Sequence, residues 1–142
     1  MKKKWVEKLK DQRGFTLTEL MVVIVIIGVL ATWSIPKFMG TIAKAKLSEY
    51  KLVLEHLVSL EEIYFQEHDG YGATFQDINF DVPDSKYFEY SLQADSTGFM
   101  AIATVKIEVR GPGRTRMKGK SVSIDHTNTH GGDDALRKLT NW

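Results

Sequence analysis

The sequence predicts an α+β chain, with one long N-terminal helix laid on a small antiparallel sheet of about three strands. Three features point there. Residues 20–36 carry no charge and are mostly Val, Ile, Leu and Met. Beyond them an apolar series at steps of three and four continues to Tyr64. Further on, two strand-like runs flank a glycine-containing turn.

The apolar run decides the first element. As a helix, Phe15 to Ile35 spans about 30 Å, the thickness of a bilayer core. Residues 1–13 hold Lys2, Lys3, Lys4, Lys8, Lys10 and Arg13 against Glu7 and Asp11. That positive excess predicts a cytoplasmic N-terminus, with everything after Ile35 carried across the membrane. An ordinary secretory signal has a small-residue cleavage site after its apolar region. Here Ser34-Ile35-Pro36-Lys37 offers none, and the small residue, Gly14, precedes the run. Glu19 sits near the start of the helix, where a carboxylate in lipid is costly and needs a specific partner.

The stretch Arg13-Gly14-Phe15-Thr16-Leu17-Thr18-Glu19, ahead of a helix of Val and Ile, resembles the class III signal of type IV pilins and pseudopilins. The likeness covers residues 13–36. It implies that a prepilin peptidase/methyltransferase cuts between Gly14 and Phe15 and methylates Phe15, leaving Glu19 as the fifth residue of the mature chain. Gly28 and Pro36 fall where the family's helix has its glycine and proline. In a staggered stack, Glu19 of one copy would meet the Phe15 amine of the next and set the register. The implied partners are further copies in a homopolymeric fibre, an inner-membrane assembly platform, and membrane lipid before assembly. The implied location is the bacterial inner membrane as a single-pass precursor, then a cell-surface pilus.

The remaining elements follow in order. The domain plan is a cleaved basic leader (1–14), an apolar transmembrane and assembly helix (15–36), and a soluble head (37–142). In the head, an amphipathic helix (37–68) presents Phe38, Ile42, Ala45, Tyr50, Val53, Leu54, Leu57, Leu60 and Tyr64. Lys44, Lys46, Lys51, Glu55, Glu61, Glu62 and Glu67 are expected largely on the other faces. One helix is thus predicted from about Thr16 to His68. Gly28 and Pro36 are its weak points: glycine costs about 1 kcal/mol relative to alanine, and proline removes a donor. The expectation is that residues 28–36 bend or melt during packing into a filament.

Asp69-Gly70-Tyr71-Gly72 stops the helix. A connecting loop (69–86), with a helical turn near Phe75–Ile78, leads into the sheet (87–125). Its strands are Tyr87–Ala94, Phe99–Val109 and Lys120–Asp125, with a looser segment over Arg110–Lys118. A polar tail (126–142) is expected to hold at most a short helix near Ala135–Leu139.

Charge bounds the function. Removing the leader's six basic and two acidic side chains from totals of 19 and 18 leaves 13 against 16, a net −3. Nothing there marks a nucleic-acid protein overall. DNA has one place to be gripped, the basic stretch Lys106, Arg110, Arg114, Arg116, Lys118 and Lys120, which is opposed only by Glu108. Its simplest reading is a solvated loop; the sharper one is a contact patch for DNA, anionic substrata or an acidic face of a neighbouring copy. No aromatic residue interrupts it, which argues against single-strand stacking.

The chain has no cysteine, so packing or fibre contacts must do what disulfides do in many pilins. Asp125, His126, Asn128, His130, Asp133 and Asp134 offer ligand atoms, but no spacing matches an EF-hand. His56 and His68 read as surface or packing residues on the long helix. No catalytic constellation emerges, and no metal, cofactor or enzymatic activity is expected. The function that follows is a structural subunit of a type IV pilus, serving adhesion, motility or DNA uptake. The alternatives are a pseudopilin of a type II secretion system, a minor DNA-binding pilin, or a membrane-anchored periplasmic binding module.

Overall fold

The computed structural model describes residues 14–142. They form helix α1 (Leu17–Leu47), helix α2 (Tyr50–His68), strands β1 (Phe88–Ala94), β2 (Phe99–Val105), β3 (Ser121–Asp125) and β4 (His130–Gly132), and helix α3 (Asp134–Thr140). The chain divides into two compact units, one ending at Pro36 and one comprising Lys37–Trp142.

In the first unit, α1 begins directly after Thr16 and keeps its helical path through Gly28 and Pro36. Its apolar side chains face outward: Leu20 to Leu30 are all exposed. Such a surface needs lipid or other copies around it.

In the second unit, the long helix expected from about Thr16 to His68 is present as the end of α1 followed by α2. The pair is interrupted only by a turn at Ser48–Glu49. There the ladder tightens to three-residue bonds, Ser48 N–H to Ala45 O and Lys51 N–H to Ser48 O. The Ser48 hydroxyl donates back to Lys44 O at 2.7 Å, a competition with the helix ladder typical of serine.

The buried face of this helix is Ala43, Leu47, Tyr50, Leu54, Leu57 and Glu61, at alternating steps of four and three. Two expectations change here. Phe38, Ile42 and Ala45 are exposed, because residues 38–47 carry two apolar rows and only the one in phase with Leu54 meets the sheet. Glu61, expected on a solvated face, is fully buried.

The sheet is a meander in the order β1-β2-β3-β4, antiparallel throughout, with four strands against an expected three or so. Small residues at the centre of β2, Ala101 and Ala103, sit between larger neighbours in the cross-strand rows Leu92–Ala101–Ile124 and Tyr90–Ala103–Val122. This leaves room for Tyr50, Leu54 and Leu57 to lie over the middle of the sheet, and all are fully buried. Each such side chain contributes roughly 1.5–3 kcal/mol by leaving water. The turn between β1 and β2 falls at Asp95–Gly98 as expected; the Asp95 carboxylate accepts the N–H groups of Thr97 (2.7 Å) and Gly98 (3.1 Å).

Strand β2 ends at Val105 rather than Val109. Beyond it the chain leaves the β1 edge and forms a small closed loop, in which Met117 N–H donates to Val109 O and Gly111 N–H to Thr115 O. Val109 and Met117 are buried, so the segment expected to be loose is pinned at its base.

The tail differs most. Instead of remaining a polar extension, it adds β4, which pairs Val122 with Gly132 and Ile124 with His130. The expected short helix is α3, and its Leu136 and Thr140 are buried. The glycine pair Gly131-Gly132 permits the strand. A side chain at Gly132 (φ +104°) would run into the Ser121 carbonyl and Val122 Cα of β3.

Candidate functional site

The N-terminal site is built on the start of α1. Gly14, Phe15 and Thr16 are non-helical and exposed, so the Gly14–Phe15 peptide lies open ahead of the first helical turn. The basic side chains expected to orient the leader, Arg13 included, lie outside the described residues. Thr16 and Glu19 form a reciprocal cap. Glu19 Oε2 accepts the Thr16 N–H at 2.8 Å and its hydroxyl at 2.7 Å, while the Thr16 Oγ1 accepts the Glu19 N–H at 3.2 Å. This is a capping box, Thr-x-x-Glu, and it satisfies donors that every helix start leaves open. The carboxylate therefore has a partner within its own chain, one that sequence reasoning passed over although the spacing is plain in Thr16-Leu17-Thr18-Glu19.

Gly28 and Pro36 both lie inside the uninterrupted helix α1. The Thr32 hydroxyl donates to Gly28 O at 2.8 Å, and Pro36 has no N–H to offer the Thr32 carbonyl.

The basic stretch is not one surface. Arg110 and Arg116 face each other across an isolated antiparallel bridge, and Arg114 occupies the loop tip at φ +63°. All three are exposed. Lys120 is taken out of the group by an ion pair with Asp133 at 2.6 Å. Lys106 lines a cleft with Val82 and Ser85, and Lys118 is exposed beyond the loop.

The histidines do not converge. His126 lies by Gly98 and Tyr71 in a turn, whereas His130 stacks on Trp142 with ring centroids 4.0 Å apart. His56 meets Phe80 edge-on and His68 stacks on Tyr64. Asp125 closes its own turn, accepting the Thr127 hydroxyl and the N–H groups of Thr127 and Thr129. The Thr127 hydroxyl first, then these amides, hold its carboxyl below the usual range. Asp95 is lowered in the same way, chiefly by the Thr97 hydroxyl. Among the described residues, no three His, Asp or Glu side chains are placed to hold a metal ion.

Sequence reasoning also missed Glu61. Its Oε2 accepts the Gly72 N–H at 2.9 Å and its Oε1 has no partner among the described residues. Burial pushes its carboxyl up, the Gly72 bond opposes this, and the negative charge of Asp77 adds to the rise.

A capped apolar helix thus follows an open Gly-Phe junction and leads into an amphipathic helix on an antiparallel sheet. In comparison with known proteins, residues 9–35 match the prokaryotic N-terminal methylation motif. The chain is similar to the type IV major pilin protein PilA of Myxococcus xanthus, 39% identical over 82 residues, covering 58% of this chain and 37% of that one. It is also similar to the type II secretion system core protein G of Klebsiella pneumoniae, 42% identical over 73 residues, covering 49% and 50%. The core protein G of Escherichia coli is 46% identical over 70 residues, covering 47% and 46%. The chain thus spans about half or less of the length of these relatives. A solved type IV pilin from Shewanella oneidensis superposes with a TM-score of 0.46 at 18% identity, over 62% of this chain and 89% of that one.

Proposed function

We propose that this chain is a prepilin whose mature form is a structural subunit of a type IV pilus. The observation that carries this reading is the methylation motif over residues 9–35, which takes in the first half of an apolar helix left exposed among the described residues. On this reading a prepilin peptidase/methyltransferase cuts between Gly14 and Phe15 and methylates Phe15. The chain stands in the inner membrane with its N-terminus cytoplasmic, and an assembly platform lifts residues 15–36 from lipid into a fibre core. The transfer exchanges one apolar environment for another, so the hydrophobic term is nearly unchanged. Repeated identical contacts then produce an open helical array.

The similarity to core protein G supports a second reading, a pseudopilin of a type II secretion system. Mass spectrometry of material sheared from cells separates the two. Abundant protein beginning at methyl-Phe15 in sheared fibres is the expected result. Processed protein confined to membranes would favour the pseudopilin, and an N-terminus at Met1 would refute both.

A further inference from the structure

The head carries a cleft of about 360 Å³, lined in part by the helix residues that follow Pro36 in sequence. Its floor includes Met39, Ile42, Ala43 and Val109, and its rim carries Lys46, Lys86 and Arg110. Glu108 is the one acid among the lining residues. None of the three cations makes an ion pair among the described residues. Met39 and Ile42 are more than half and half exposed, at 58% and 50%, so the floor is open and apolar.

Beside the cleft, Pro112 of the arginine loop lies over helix residue Gly40, within 3.5 Å of where a Cβ would stand. Gly40 follows Ile35 by five residues, roughly 7.5 Å of helix rise. The polar headgroup layer on each side of a bilayer is of similar depth. The loop holding Arg110, Arg114 and Arg116 thus packs, through Pro112, on helix residues that follow Ile35 directly in sequence. The mature chain carries net −3 overall, so this basic loop is a local feature and not the sign of the whole surface.

We infer that this cleft and loop bind an anionic phospholipid of the membrane in which the chain waits. The apolar floor takes the glycerol and upper acyl region, and Lys46, Lys86 and Arg110 take the phosphate. Small-ligand sites commonly combine such an apolar lining with a few fixed polar groups. Cations near a membrane surface attract acidic headgroups individually, each by about fivefold in affinity. A neighbouring copy would suit the apolar floor, but it does not account for three cations on the rim that make no ion pair among the described residues. The lipid source follows from the covalent link to the span, and the inference rests on the proposed membrane anchoring of residues 15–36.

The test uses the full chain in detergent, titrated with phosphatidylglycerol or phosphatidylcholine of identical acyl chains and read by native mass spectrometry. The expected result is a one-to-one phosphatidylglycerol adduct, preferred on the order of a hundredfold. Lys46→Gln/Lys86→Gln/Arg110→Gln should bring the preference near parity. Lys106→Gln/Lys118→Gln/Lys138→Gln, with the same change in net charge, should retain it. Equal binding of the two lipids, or a preference untouched by the first triple variant, overturns the inference. So does displacement of the lipid by inorganic phosphate at equal concentration, or a chain dimer in place of the adduct. Vesicle flotation of the same preparation tests the anchor separately: a chain that does not float fails the anchoring, whereas one that floats without lipid preference fails only the site.

Discussion

Replacing Glu61 with glutamine isolates the one carboxylate, among the described residues, that the fold takes fully out of water. Its Oε2 holds the buried Gly72 N–H at 2.9 Å, and Oε1 has no partner among the described residues. Burial first, opposed by the Gly72 bond and aided by Asp77, raises its folded pKa. The fold therefore binds the Glu61 proton more tightly than the unfolded chain does. The stability this contributes is fully present below the unfolded value, about 4.3, and is lost as pH rises through the higher folded value. Glutamine keeps a carbonyl for Gly72 and cannot ionise. The difference in stability between wild type and Glu61→Gln should accordingly grow in favour of the variant as pH rises across that window, then level off. Glu61→Ala leaves the Gly72 N–H unpaired and opens a void, which together cost roughly 2–4 kcal/mol relative to glutamine. In a head of this size that is about 8–16 °C in unfolding midpoint. Near-ultraviolet circular dichroism of the full chain in detergent, across pH, reads both effects. A glutamine variant with the pH slope of the wild type, or an alanine variant as stable as the glutamine one, would refute the reasoning.

Four further outcomes are expected. Leu54→Ala, at a fully buried position over the sheet, should lose roughly 2–5 kcal/mol in urea unfolding. Gly132→Ala places a side chain at φ +104° against the β3 backbone and should lose about 1–3 kcal/mol, with early amide exchange at His130 and Val122. Glu19→Ala should abolish recovery of sheared fibres while leaving cleavage after Gly14 intact by mass spectrometry. Thr16→Ala removes only the hydroxyl half of the cap and should still assemble.

What could be read from the sequence was whatever depends on runs and periods. The charge-free stretch before Lys37 and the Gly14–Glu19 motif need no tertiary context, and the 3–4 series through Leu54 and Leu57 points to a sheet-facing helix. The turn at Asp95–Gly98 is written in its own side chains. Residues whose environment is set from far away could not be read. Glu61 is drawn inward by Gly72, eleven positions on, and a polar residue on a helical wheel carries no mark of that. Ile42 and Ala43 are adjacent, and which of them faces inward depends on phase with Tyr50. The strand at His130–Gly132 exists because β3 offers an open edge and glycine lets the backbone approach it, a fact of the partner rather than of the segment. The basic stretch looked continuous, yet the Lys120–Asp133 pair and the arginine loop divide it.

The cap at Thr16 changes how Glu19 should be understood. An unpaired carboxylate at this depth would be expensive in lipid, and a register role alone would leave it so until a neighbour arrived. The described chain shows it already engaged with the Thr16 N–H and hydroxyl. Cleavage after Gly14 would free an amine on Phe15, the residue before Thr16, four positions and roughly 6 Å of helix rise from Glu19. The carboxylate would then have a local set of donors while the subunit waits and a neighbour's amine once it is stacked. Assembly becomes an exchange between two satisfied states instead of the rescue of a buried charge. On the proposed assembly, the free energy driving it would then come from elsewhere, from packing of the helices and from the assembly platform. On the proposed reading, what Glu19 would supply is the penalty for a wrong register: an axial slip would hold the carboxylate away from any amine while neighbouring helices exclude water. On this account the Thr16→Ala chain keeps the penalty and assembles, whereas the Glu19→Ala chain loses it and does not.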